Sequence, residues 1–179
     1  MRVIAGIAKG HRIKTLKGEL TRPTGAKVKE AMFSILQPYI SDSVVLDLFA
    51  GSGALGIEAL SRGCKHCDFV EQNKSAAKII AENLEKTHFL NCKIYNSSAR
   101  SFLNNCTQKY DLVFIDPPYS KDLYNETLSA LNDMDMLNPN AIVVCETGLT
   151  HNIKCELNLF KQSKYKDTML LFFKKDETM

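Results

Sequence analysis

Two groups of residues in this chain have the types and spacing to do chemistry. The first runs from Asp47 to Glu71. Gly51, Gly53 and Gly56 stand in the order G-x-G-x-x-G, directly after the apolar run Val44–Phe49 that carries Asp47. A strand that reverses into a helix within a few residues needs torsions that only glycine takes cheaply. A ligand that must approach the backbone closely also tolerates no side chain there. The helix that follows offers free N–H groups to a phosphate or carboxylate. Glu71 lies 20 residues after Gly51, at the end of a second apolar run, Asp68-Phe69-Val70. A carboxylate at that place can accept both hydroxyl protons of a ribose.

The glycine spacing fits a dinucleotide as well as S-adenosylmethionine. Asp47 tilts the choice, because an anion just before the turn repels a pyrophosphate but suits a ligand with a cationic amino group and a sulfonium. The second group is Asp116-Pro117-Pro118-Tyr119. Two prolines fix the backbone and remove two N–H donors, so the carbonyls there are rigid acceptors. Asp116 adds a carboxylate, and Tyr119 adds a ring that can stack on a base. Acceptors beside an aromatic plate suit a planar substrate bearing an exocyclic NH2.

Both groups must be carried by a sheet. The apolar runs Val44–Phe49, Asp68–Val70, Cys92–Tyr95, Tyr110–Ile115 and Ala141–Cys145 read as buried strands. Between them the spacing predicts helices over Ala54–Leu60, Lys74–Lys86, Ser98–Asn105 and Tyr124–Met134. An amphipathic helix, Ala26–Gln37, precedes the first strand, with Val28, Ala31, Met32, Ile35 and Leu36 on its apolar face, Lys27, Lys29 and Glu30 off it, and Pro38 as its stop. Leu157–Lys164 and Thr168–Phe173 read as a closing antiparallel pair, and Arg2-Val3-Ile4 with Arg12-Ile13-Lys14 as a short hairpin. Strands alternating with helices predict an α/β doubly wound sheet. In such sheets ligands bind beyond the carboxyl ends of the strands, where Asp47, Glu71, Ser98, Asp116 and Glu146 all fall.

A length of 179 residues predicts one domain: a basic extension over residues 1–25 and a core over 26–179. Net charge is only +3, yet residues 1–29 hold eight basic side chains against Glu19 alone. A basic arm on a mildly acidic body points to a polyanionic partner. No apolar run approaches a membrane span, and no secretory signal opens the chain, so a cytoplasmic protein without a membrane partner is expected. Cys64-Lys65-His66-Cys67 spells C-x-x-C but has no second pair to complete a zinc site. No metal is expected, and the six cysteines read as reduced thiols.

Asp47–Gly53 together with Asp116–Tyr119 resembles the class I S-adenosylmethionine-dependent amino-methyltransferases. Arg2–Gly6, Gly10-His11-Arg12, Arg22-Pro23-Thr24 and Val28–Phe33 narrow the resemblance to the bacterial small-subunit rRNA guanine-N2-methyltransferases of the RsmD type. The resemblance implies a Rossmann-like fold: a mostly parallel seven-stranded sheet with an antiparallel C-terminal strand and a small N-terminal hairpin and helix extension. It implies S-adenosylmethionine as cofactor. Asp47, Gly51 and Gly53 would hold its methionine end, Glu71 its ribose and Ser98-Ala99 its adenine, with Phe49, Ser52 and Gln72 completing the set. Asp116, Pro117, Pro118 and Tyr119 would form the catalytic group around the target base. Arg2, Lys9, His11, Arg12, Lys14, Arg22, Thr24 and Lys29 would contact RNA. The partner would be ribosomal RNA or the small ribosomal subunit, and the protein a monomer. The chain departs from the family pattern at Ser98, usually Asp, at Lys29, usually Arg, and at Lys166, where Gly is expected. Two other readings stand beside this one. A DNA adenine-N6-methyltransferase uses the same D-P-P-Y but needs more chain for reading sequence. A nicotinamide-dependent oxidoreductase accounts for the glycines but leaves Asp116–Tyr119 without a role.

Overall fold

The computed structural model describes residues 1–16, 25–117, 121–149, 153 and 155–177. The first helix, α1 (Ala26–Leu36), leads through a 3-10 turn, Gln37–Tyr39, into β1 (Val44–Leu48). Then follow α2 (Ala54–Ser61), β2 (His66–Val70), α3 (Lys74–Thr87), β3 (Cys92–Tyr95), α4 (Ala99–Asn105), β4 (Tyr110–Ile115), α5 (Lys121–Asp133) and β5 (Leu137–Gly148). β6 (Asn158–Tyr165) and β7 (Thr168–Lys174) close the chain as a hairpin. Among these, β5 is much longer than the apolar run Ala141–Cys145 and α5 starts three residues before Tyr124, because strand pairing and helix packing continue past the apolar core of each element.

The seven strands lie in the order β3-β2-β1-β4-β5-β7-β6. The first five are parallel, and β7 enters antiparallel between β5 and β6. The chain therefore leaves β1 toward β2 on one side and returns to β4 on the other. At that reversal the two crossovers diverge and leave a crevice at the carboxyl ends of β1 and β4.

Side chains alternate across the sheet. Val45, Phe69, Leu112, Phe114, Val144 and Phe172 pack with α1, α2 and α3 on one face. Leu46, Leu48, Val113, Ile115, Val143 and Cys145 pack with α4 and α5 on the other. The same alternation places Asp47 of β1 and Glu146 of β5 on the face that carries α1, α2 and α3.

The N-terminal segment is part of this core. Val3, Ala8 and Ile13 are buried in the same cluster as α1 and α2. Its expected hairpin reduces to one antiparallel bridge, Arg2 to Arg12, because the chain between is held to helices instead. The amides of Ile4 and Ala5 donate to the Glu58 carboxylate at 2.8 and 3.0 Å, and the amide of Ala8 donates to the Ser61 hydroxyl at 3.0 Å.

On α1 the buried stripe is Lys29, Met32, Phe33 and Leu36. Lys29, expected as an RNA contact, is therefore corrected to a core residue. It is 0% exposed, pairs with Glu58 at 3.0 Å and donates to the Arg2 carbonyl at 2.9 Å. Burial disfavours a charge on Glu58, but the Ile4 amide, Lys29 and Arg62 together outweigh it and hold the carboxyl below its usual range. No helix among the described residues is long and apolar enough to cross a membrane.

Candidate functional site

The turn from β1 into α2 is pinned from both sides. The amides of Phe49 and Ala50 both donate to the Val70 carbonyl, at 3.1 and 3.0 Å. Phe49 sits at φ 89, a region that a bulky residue enters only when its surroundings force it. Gly53 caps α2 at φ 76, and a Cβ on Gly56 would lie 2.3 Å from Phe69 and 2.7 Å from Cys67 Sγ. The first glycine requirement is torsional; the second is close packing of α2 on β2.

Two carboxylates tie this turn to the sheet. Asp47 is 3% exposed, and its Oδ2 accepts the Gly56 amide at 2.9 Å. Burial pushes its pKa up to about 7; the Gly56 hydrogen bond opposes the shift and the charge of Glu71 adds to it. Glu71, at the end of β2, accepts the Gly51 amide at 2.8 Å and the Asn73 amide at 2.7 Å.

A cavity of about 590 Å³ opens over the carboxyl ends of the strands. That is the usual size for a small-molecule site. Phe49, Gly51, Glu71, Gln72, Ala99, Asp116 and Pro117, all expected at the site, line it together. The reversal of strand order brings residues more than sixty positions apart to one crevice. Asp116 is exposed toward the cavity, with protein packed around the rest of it. That crowding, then the charge of Glu146, then that of Asp47, push its carboxyl well above the usual range.

Four expected cofactor residues stand behind the lining. Asp47 braces Gly56 from below, and Gly53 caps α2. The Ser52 carbonyl accepts from Asn83 at 2.9 Å. The Ser98 hydroxyl accepts the Ser101 amide at 3.2 Å and caps α4, which leaves Ala99 to face the cavity. Pro118, Tyr119, Arg22 and Thr24 lie outside the described residues. Arg2, Lys9, His11, Arg12 and Lys14 are exposed and away from the cavity lining. Lys14 pairs with Glu82 at 2.6 Å, and His11 Nδ1 lies 2.9 Å from the Ala8 carbonyl.

Sequence reasoning missed Lys27, Tyr124 and Lys166, which also line the cavity. Lys166 takes φ 50 in the β6–β7 turn, the torsion that explains a glycine expectation there. It missed Asn83 as well, a fully buried side chain that accepts the Lys14 amide and donates to the carbonyls of Lys14 and Ser52. A polar residue on the inward face of α3, between Ile80 and Leu84, was the available signal. Among the described residues no group of three or more His, Cys, Asp or Glu is placed to hold a metal. Cys64 and Cys67 are free and buried, and burial first, then neighbouring charge, raises both thiols, Cys64 to about 12. Neither is a nucleophile near neutral pH.

A seven-stranded sheet of this order, with a strand inserted antiparallel near one edge and a cavity at the β1–β4 reversal, defines the Rossmann-like methyltransferase fold. The solved structure of yhhF from Escherichia coli superposes with a TM-score of 0.90 at 30% identity, covering 99% of each chain. An RNA methyltransferase from Salinibacter ruber, solved with S-adenosyl-L-homocysteine, shares the fold at a TM-score of 0.70 and 13% identity, over 88% of this chain and 95% of its own. Residues 1–174 match the family described as "Conserved hypothetical protein 95". Ribosomal RNA small subunit methyltransferase D of Haemophilus influenzae is 40% identical over 82% of this chain and 78% of its own length. The protein of the same name from Escherichia coli is 34% identical over 86% and 77%. The chain belongs to this family, the RsmD-like methyltransferases.

Proposed function

We propose that this protein methylates the exocyclic N2 amine of a guanine in small-subunit ribosomal RNA, using S-adenosylmethionine. The observation that carries this reading is one continuous cavity lined by Gly51, Glu71 and Ala99 together with Asp116 and Pro117. The kinship with rRNA small subunit methyltransferases supports the RNA substrate.

The residues present fit the cofactor. Asp47 and Glu71 meet beside the glycine turn, and burial first, then the charge of Glu71, push the Asp47 carboxyl up. A ligand bearing an ammonium and a sulfonium relieves that repulsion. Glu71 accepts one amide on each oxygen and keeps lone pairs for ribose hydroxyls. Gln72 and Ala99 flank the place for adenine. Asp47 acts from beneath the glycine turn. S-adenosylmethionine would supply an electrophilic methyl group.

The protein's part in the chemistry falls to Asp116 and Pro117. An exocyclic amine is a poor nucleophile because its lone pair is delocalised into the ring. The Asp116 carboxylate and the Pro117 carbonyl each accept one N–H, which holds the nitrogen pyramidal and frees the lone pair. As positive charge grows on nitrogen, Asp116 stabilises it and takes the proton. Tyr119 stacks on the base, flipped from its neighbours. The exposed bases of the N-terminal segment hold the RNA backbone. The substrate places the reaction in the cytoplasm, with the enzyme acting as a monomer.

Tritiated methyl transfer to ribosomal subunits, followed by nucleoside analysis, tests the reading. The label is expected in N2-methylguanosine. Label in a ring nitrogen, a base carbon, a ribose 2′-oxygen or N6-methyladenosine overturns it.

A further inference from the structure

A second carboxylate stands beside Asp116. Strands β4 and β5 run parallel and in register to Ile115 opposite Cys145. Asp116 directly follows the last residue of β4, Glu146 continues β5 one step past the same pair, the charge of Glu146 acts on Asp116, and both line the cavity. The Tyr124 hydroxyl, from α5, donates to the Glu146 carbonyl at 2.6 Å and fixes the backbone at that point.

We propose that Glu146 accepts the N1–H of the target guanine and so makes the site select guanine over bases whose ring nitrogen beside the amine is unprotonated. This rests on the function proposed above. Guanine presents three N–H bonds in a row, two on N2 and one on N1. With the amine hydrogens on Asp116 and Pro117, the N1–H points to the neighbouring strand, where Glu146 stands. An ionised carboxylate accepts and never donates. In adenine and cytosine the ring nitrogen beside the amine carries a lone pair, which would meet the Glu146 oxygens with no proton between them. That arrangement sets a carboxylate against a lone pair and is repulsive. The repulsion already present between Asp116 and Glu146 is relieved by a row of donors, not by a mixed edge. The pair thus acts as a reader of the base edge as well as a holder of the amine.

The test uses 2,6-diaminopurine, which keeps the N2 amine but has no proton on N1. Synthetic RNA carries guanine or 2,6-diaminopurine at the mapped target position, assayed free and after assembly into small subunits. The wild-type protein is expected to favour guanine by about tenfold or more in kcat/KM for N2 methylation. Glu146→Gln keeps the shape, and its amide can donate to an unprotonated N1. That variant should bring the ratio near one or reverse it. Its circular-dichroism spectrum should match that of the wild type, and the ratio is read at saturating S-adenosylmethionine, so that a change in cofactor affinity does not enter it. A wild type without preference, or a Glu146→Gln variant with the wild-type ratio, overturns the inference while N2-methylguanine formation leaves the proposed function standing. A wild type that labels no guanine N2 removes both.

Discussion

Replacing Asp47 by Asn should make the ligand-free protein more stable, by an amount that depends on pH. Asp47 is 3% exposed and its pKa is raised from 3.8 to about 7, chiefly by burial. A group whose folded pKa is raised holds its proton in the folded state while the unfolded chain has already released it. Between those two values stability falls as pH rises, and above about 7 the full cost is present. One pKa unit corresponds to about 1.4 kcal/mol, so the ionised carboxylate costs about 4 kcal/mol near pH 8 and about 1 kcal/mol near pH 4.5. Asn keeps an oxygen for the Gly56 amide and carries no charge. Urea unfolding of both proteins across this range should show the variant's advantage growing by about 3 kcal/mol from pH 4.5 to pH 8. Asp116 titrates in both proteins, so taking the difference removes most of its contribution. Calorimetry should show the opposite for ligand: S-adenosylhomocysteine, which carries an ammonium, binds the variant more weakly. A stability difference that is flat with pH would refute the reasoning, because a buried, ionising carboxyl must produce a slope.

Glu71→Ala should weaken S-adenosylmethionine binding by about 1.5–3 kcal/mol, the scale of a hydrogen bond to a charged group. Asp116→Ala should leave that binding nearly intact while methyl transfer collapses, and loss of both together would mean that the cofactor and base sites are not separate. In methyl-transfer assays Tyr119→Phe should be mild and Tyr119→Ala severe, since stacking needs the ring; equal losses would assign the role to the hydroxyl. Lys9→Ala with Arg12→Ala should flatten the salt dependence of RNA binding, because fewer counterions are released; an unchanged slope would make these side chains bystanders. Glu58→Gln should destabilise the fold by about 3–5 kcal/mol, since Lys29 would be left as a buried, poorly compensated charge, and a melting temperature equal to wild type would contradict that placement.

Legible in the residues alone were the strand–glycine turn–helix unit around Gly51–Gly56, the strand that runs up to Asp116, and the alternating order of elements. Each of these is local: a period of two or of three to four residues, or a torsion that one residue type permits, is written within a dozen positions. The sequence also pointed to the strand ends where a cavity forms. Which charges face that cavity depends on how distant segments pack. Lys29 reads as a solvated lysine until Glu58, on another helix, is seen to neutralise it inside the core. The basic N-terminal segment reads as an arm until Val3, Ala8 and Ile13 are found in the core cluster, which leaves its cations on the outer side. Asp47 reads as a residue at the cofactor's methionine end, and only the fold shows it beneath the glycine loop, accepting the Gly56 amide and raised in pKa by burial. Glu146 becomes the neighbour of Asp116 only through the pairing of β4 with β5, thirty residues apart in the chain. Pairing, burial and the sum of nearby charges are properties of distant segments brought together, and no stretch of sequence holds them alone.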